Sequence, residues 1–137
     1  MRKFFSTRIS ASSFTIATLL LRLTAGILMI SNHGFSKISN FTNKAPHFSD
    51  PFGLGATSSY SLVVFAEFFC AALVILGLFT RLACIPLVIA MGVAFSIAHK
   101  HNIAPGQGET ALLFFICFFV ILLTGPGKMS VDRLLFK

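Results

Sequence analysis

Four stretches of nearly unbroken apolar residues alternate with polar, Gly- and Pro-bearing segments along the chain. They run from about Phe14 to Ser31, Tyr60 to Phe79, Leu82 to Ala98 and Thr110 to Thr124. A helix needs roughly 20 residues to cross a bilayer core, with a lower limit near 17. The first two stretches pass, the third is borderline, and the fourth is short by its apolar core. It still counts as a span, because Ala111 to Leu123 carries no charge; its polar ends or a thinned bilayer complete the crossing. The pattern predicts an all-α fold: an integral membrane four-helix bundle, one domain over residues 1–137.

The connections refine this picture. Thr80 and Arg81 alone join the second and third stretches, which forces an antiparallel hairpin. Asn32 to Ser59 is a long loop with Pro46, Pro51, Gly53 and Gly55, expected as a folded or partly re-entrant cap. His99 to Glu109 holds Pro105, Gly106 and Gly108, and Gly125-Pro126-Gly127 ends the fourth stretch.

Hydrophobic residues make up 55% of the chain and charged residues 11%, against about 25% charged in a soluble domain. That excludes a soluble protein. The net charge of +7 would invite nucleic acid on a soluble surface. Here the basic residues cluster at the ends of apolar runs, so they orient the chain in lipid and no nucleic-acid partner is expected. Arg2, Lys3, Arg8, Arg81, Lys128, Arg133 and Lys137 fall on one side; Lys37, Lys44 and Lys100 fall on the other. The larger group belongs in the cytoplasm, which makes the chain a multi-pass protein of the bacterial inner membrane with both termini cytoplasmic. Arg22 interrupts the first apolar run, so the N-terminal segment reads as a retained first helix rather than a cleaved signal. Cys70, Cys84 and Cys117 form no CxxC pair and read as small buried hydrophobes.

Ionisable residues inside apolar runs point to chemistry. Arg22 and Glu67 sit within the first and second stretches. A charge at bilayer depth faces a partner, a cavity or a ligand. Counted along the spans, the two lie within about a turn of each other in depth. They form either a structural ion pair or a catalytic pair, in which Glu67 accepts a proton or anchors a ligand and Arg22 balances it. His33, His99 and Glu109 end or begin spans on the opposite side from the termini, with His47 and His101 on that side too. Imidazole and carboxylate together suit a transition metal or a quinone carbonyl. His33, His99 and Glu109 are the candidate metal ligands; with Lys37 they are the candidate cofactor-binding set. In a closed bundle they would line one outward polar cavity, with Lys37 at its rim and Glu67 at its floor. Phe65, Phe68, Phe69, Phe114, Phe115, Phe118 and Phe119 would flank an aromatic ring or face lipid.

Arg22-x-x-x-Gly26 followed by His33-Gly34-x-x-Lys37 resembles the first-helix signature of the DoxX family. Glu67 with Leu76-Gly77-Leu78-Phe79-Thr80-Arg81, then His99, Glu109 and Gly125-Pro126-Gly127-x-x-Ser130-x-Asp132, extends the resemblance over nearly the whole chain. The resemblance implies a four-helix membrane bundle. It also brings in proteins similar to the small membrane subunit of a thiosulfate:quinone oxidoreductase, and partners in oxidative-stress or metal-handling systems. The expected function is therefore the membrane subunit of a redox module, an oxidoreductase only with a partner protein. The alternatives are a membrane scaffold that docks a partner and a small metal or anion transporter. Besides the lipid bilayer, a protein partner or a second copy of the chain is expected.

The charge asymmetry makes a direct prediction. Reporter fusions at Lys137 and in the loop at Lys44 should report opposite sides of the membrane. A periplasmic C-terminus would overturn both the span count and the orientation.

Overall fold

The computed structural model describes residues 9–103, 106 and 108–136. Arg2, Lys3, Arg8, Pro105 and Lys137, used above for orientation and loop placement, lie outside the described residues. Four main helices carry the fold: α1 (Ala11–Ser39), α2 (Ala56–Leu76), α3 (Thr80–Ala98) and α4 (Gly108–Thr124). The first three are long and apolar enough to cross a membrane; α4, with 17 residues, is shorter. No strand occurs among the described residues.

Local chemistry sets the helix ends. Ser10 starts α1 by accepting the Ser13 N–H on its hydroxyl at 3.0 Å. The helix does not stop at Ser31. It passes through a π-helical segment, Ile30–Gly34, and continues to Ser39. Ser31 and Asn32 are exposed and His33 half-buried near the loop end of the helix, where polar side chains are tolerated. The loop is correspondingly shorter, Asn40 to Gly55, with single turns at Phe41–Lys44 and Ala45–His47. The α2–α3 turn falls at residues 77–79 rather than at Thr80 and Arg81, which lie in the first turn of α3. Gly77 takes φ 71°, and the Leu78 N–H bonds back to the Leu73 carbonyl at 3.0 Å, the usual way a glycine closes a helix.

Helix α1 packs on α2 and α4, α2 on α3, and α3 on α4, closing a ring of antiparallel neighbours. The centre is apolar and includes Met29, Val74, Leu87, Phe118 and Ile121. Close approach of α1 and α2 rests on two glycines. A Cβ on Gly26 would stand 2.5 Å from Ile75, and one on Gly34 would stand 2.7 Å from the Glu67 carbonyl oxygen. Small residues serve this role in membrane bundles, where dispersion between closely packed backbones drives association. Cys70, Cys84 and Cys117 are unpaired.

At the termini end, a short helix α5 (Val131–Leu135) folds back under the bundle. Asp132 accepts the Phe79 N–H at 2.6 Å, the Thr80 N–H at 2.9 Å and the Thr80 hydroxyl at 2.8 Å. Its own N–H donates to the Gly77 carbonyl at 2.8 Å. A residue more than fifty positions away thus caps α3 and holds Phe79 in a left-handed conformation, φ 47°. Asp132→Ala should lower stability by about 1–2 kcal/mol, the usual cost of losing a helix cap, read as a drop in thermal unfolding temperature in detergent micelles.

Candidate functional site

The extension of α1 past Ser31 decides which charges meet. Lys37, in its last turns, places Nζ 2.5 Å from Oε2 of Glu67. The Glu67 side chain is 4% exposed and that of Lys37 22%. Glu67 lies in a second π-helical segment, Phe65–Cys70. The bare Gly34 backbone presses on that segment one turn before Lys37. The Tyr60 hydroxyl donates to the Lys37 carbonyl at 3.1 Å and pins the end of α1 to the start of α2. A third π segment, Ala94–Ala98, lies at the same end of α3. Such segments add a residue to a turn and re-aim side chains, often at functional sites.

Arg22 and Glu67 do not pair. Gly34 is the residue level with Glu67, and Arg22 lies twelve positions earlier (34 minus 22), about 18 Å away along the axis. The expected match in depth assumed that α1 ended at Ser31. Arg22 is buried at the termini end, where Nη2 donates to the Met129 carbonyl at 2.6 Å. Its Nε and Nη1 have no hydrogen-bond partner among the described residues. The guanidinium packs against Gly77, where any Cβ would overlap Nη1. Gly77 therefore serves both the turn and the room for Arg22.

Glu67 and Lys37 border a cavity of about 470 Å³ between α2 and α3, beneath the loop. His99 lines its loop-side end, and Ser49 and Ser59 add hydroxyls. The remaining wall is almost entirely apolar, with Phe48 and Phe52 from the loop and Pro86, Ala90, Ala94 and Ala98 along α3. The expected convergence of His33, His99 and Glu109 is not present. His33 lies edge-on to Phe114 of α4 with ring centroids 5.5 Å apart and does not line the cavity, although it stays within electrostatic reach of Glu67 and Lys37. His33 contacts α4 through Phe114, and Lys37 contacts α2 through Glu67. Glu109 is exposed in the first turn of α4. Among the described residues, no three His, Cys, Asp or Glu side chains group as metal ligands. His47 lies on the outer loop surface, and His101 packs edge-on to Phe95.

None of the seven phenylalanines singled out in the sequence lines the cavity. Phe65 and Phe69 stack on each other and are about half exposed on the outside of α2, where lipid would lie. Phe118 is in the core, and Phe114, Phe115 and Phe119 stack along α4. Sequence reasoning missed Phe48, Phe52 and Ser59. It also missed the ridge Pro86, Ala90, Ala94, Ala98, whose four-residue spacing is visible in the sequence.

Asp50 holds the loop in place. It accepts the Leu54 N–H at 3.0 Å, the Gly55 N–H at 2.7 Å and the Ser59 hydroxyl at 2.8 Å. The Ser59 hydroxyl, followed by the Gly55 N–H, holds the Asp50 carboxyl below its ordinary value. A depressed carboxyl contributes stability above the unfolded value, about 3.9, and loses it as pH falls through the folded value. Pepsin cleavage between Phe52 and Leu54 should therefore rise as pH is lowered below about 4. Asp50→Asn should already be cleaved at the top of that range. Equal, pH-independent protection of both proteins would disprove the latch.

No solved structure matches the chain. An uncharacterized membrane protein of Mycobacterium tuberculosis is 28% identical over 135 residues, covering 88% of this chain and 82% of that protein. An uncharacterized protein of Haemophilus influenzae is 34% identical over 126 residues, covering 85% of this chain and 89% of that one. The DoxX family model matches residues 17–100, which hold most of α1, all of α2 and α3, and the Lys37–Glu67 pair: the chain belongs to the DoxX family.

Proposed function

We propose that the protein is the membrane subunit of a bacterial inner-membrane redox module and that its cavity holds a quinone head group against Lys37 and Glu67. The observation that carries this reading is the ion pair itself: a cation and a carboxylate 2.5 Å apart, bordering an otherwise apolar cavity inside a membrane protein.

The residues fit such a group. A volume of about 470 Å³ lies within the usual range for small-molecule sites, roughly 300–1,000 Å³. Apolar walls accept a substituted ring. The Lys37 ammonium has three N–H donors, and only one is directed to Glu67; the others can donate to a carbonyl oxygen. The Glu67 carboxylate can accept a bond from a ring hydroxyl and hold its proton. A bound quinone supplies a two-electron, two-proton acceptor. Lys37 and Glu67 orient its oxygens, and the apolar wall keeps bulk water from competing for them. His99, at the loop-side end, is placed to pass protons toward the aqueous face. Arg22 has no part in this site; its role is to join α1 to the C-terminal segment. Electrons come from a partner protein.

Isothermal titration of the full chain in nanodiscs with a short-tailed benzoquinone tests the reading. Wild type should bind. Lys37→Met should weaken binding of the quinone, and Glu67→Gln binding of the corresponding hydroquinone, whose hydroxyl can donate to the carboxylate, each at least about tenfold, or 1.4 kcal/mol. Lys37→Met alone also leaves a buried carboxylate uncompensated and should unfold at lower temperature. The double variant Lys37→Met with Glu67→Leu should recover much of that stability without recovering binding. Wild-type affinity in the double variant would overturn the proposal.

A further inference from the structure

The cavity has two sides from which a ligand could arrive, and they are built differently. Toward the loop, a packed aromatic cluster stands beside exposed Ser49, Pro51 and Phe52. Tyr60 is 1% exposed and is flanked by Phe41 and Phe48, with ring centroids at 5.4 and 5.0 Å. Ala45 and Val64 complete this aromatic cluster. Asp50 ties the following turn to the start of α2 with three hydrogen bonds.

Toward lipid the cavity is open. Leu62 of α2 and Ile89 and Ile97 of α3 line it while remaining 56%, 56% and 47% exposed. On α3, the small residues Pro86, Ala90, Ala94 and Ala98 line the cavity at four-residue spacing beside Ile89, Val93 and Ile97. Pro86 to Ala98 spans twelve positions, about 18 Å of shallow trench. Larger side chains on that ridge would narrow it. The trench passes the level of Glu67, so its polar end and its apolar exit are continuous within one cavity.

We propose that the cavity is loaded from within the bilayer: its ligand is a membrane-resident amphiphile whose head sits at Lys37 and Glu67 and whose tail leaves between α2 and α3, past Leu62 and Ile89. This rests on the cavity being the ligand site proposed above, but not on the head being a quinone. The crevice recognises a tail, and the ion pair recognises a head that can both donate and accept hydrogen bonds. Phe52, 61% exposed at the loop edge of the cavity, bounds the crevice on the aqueous side and keeps the tail in the apolar layer.

The test uses the full chain in nanodiscs and two benzoquinones with the same ring, one without a tail and one with a decyl tail ending in a diazirine. Lateral loading predicts at least about tenfold tighter binding of the tailed compound. On illumination, its tail should label Leu62, Ile89 or Ile97, and excess unlabelled decyl compound should suppress that labelling. Ile89→Trp should weaken the tailed compound by a similar factor. Equal affinity of the two compounds, or labelling confined to loop residues such as Lys44 and His47, overturns lateral loading while leaving the quinone reading intact. If neither quinone binds, native mass spectrometry of the nanodisc-purified protein decides the matter. An amphiphile with another head, lost on Ile89→Trp, sustains lateral loading and sinks the quinone reading. No retained amphiphile and no quinone binding sinks both.

Discussion

A carboxylate in the interior of a membrane bundle must be neutralised or protonated, because neither lipid nor packed side chains can solvate it. Glu67 is 3% exposed, and Lys37 supplies the neutralising charge. Much of the loop-side half of the protein follows from that requirement. Helix α1 must run past its polar stretch to deliver Lys37. Its backbone must approach α2 closely, so position 34 must lack a side chain. The end of α1 must be held, which Tyr60 does through the Lys37 carbonyl. The π segments on both helices set the two side chains face to face.

The chain has only four acidic residues, and three of them, Asp50, Glu67 and Asp132, mark its two ends. Asp50 closes the loop against α2, and Asp132 closes the C-terminal segment against α3. Both accept backbone N–H groups near a helix start, where a negative charge also complements the helix dipole. Glu67 stands apart. It sits in mid-helix, accepts from a lysine rather than from the backbone, and borders a cavity. The termini end, with Arg22, Gly77, Met129 and Asp132, is tightly packed and joins distant parts of the chain. The loop end is where the structure leaves space.

Helix number, order and family were legible because long apolar runs, a Gly-bearing tight turn and spaced motifs are local signals. Glu67 and Lys37 were both visible as candidates. Their pairing was not, because it depends on register between α1 and α2. Register was misplaced by ending α1 at the polar Ser31-Asn32-His33 segment, and that error gave Glu67 the wrong cation. A π segment has no reliable sequence signature, so the continuation of α1 through Ile30–Gly34 could not be read from the sequence. The role of Asp132 was hidden for another reason. The residue was seen as part of a motif, but a cap supplied across more than fifty positions carries no local pattern. The cavity wall on α3 was legible in principle, since Pro86, Ala90, Ala94 and Ala98 repeat at helical spacing.

A structural ion pair alone would not need the space beside it. Replacing a buried pair by well-packed apolar residues is often neutral or stabilising, and filling a gap between helices recovers dispersion contacts. Here the small residues along α3 leave the cavity open beside the pair, rather than sealing it. Both features work against simple packing stability, and they occur at one place. The aromatic cluster around Tyr60 and the Asp50 hydrogen bonds fix the loop beside the same space. An apolar trench meeting a buried charge pair is the combination that a site for a lipid-soluble, hydrogen-bonding ligand requires.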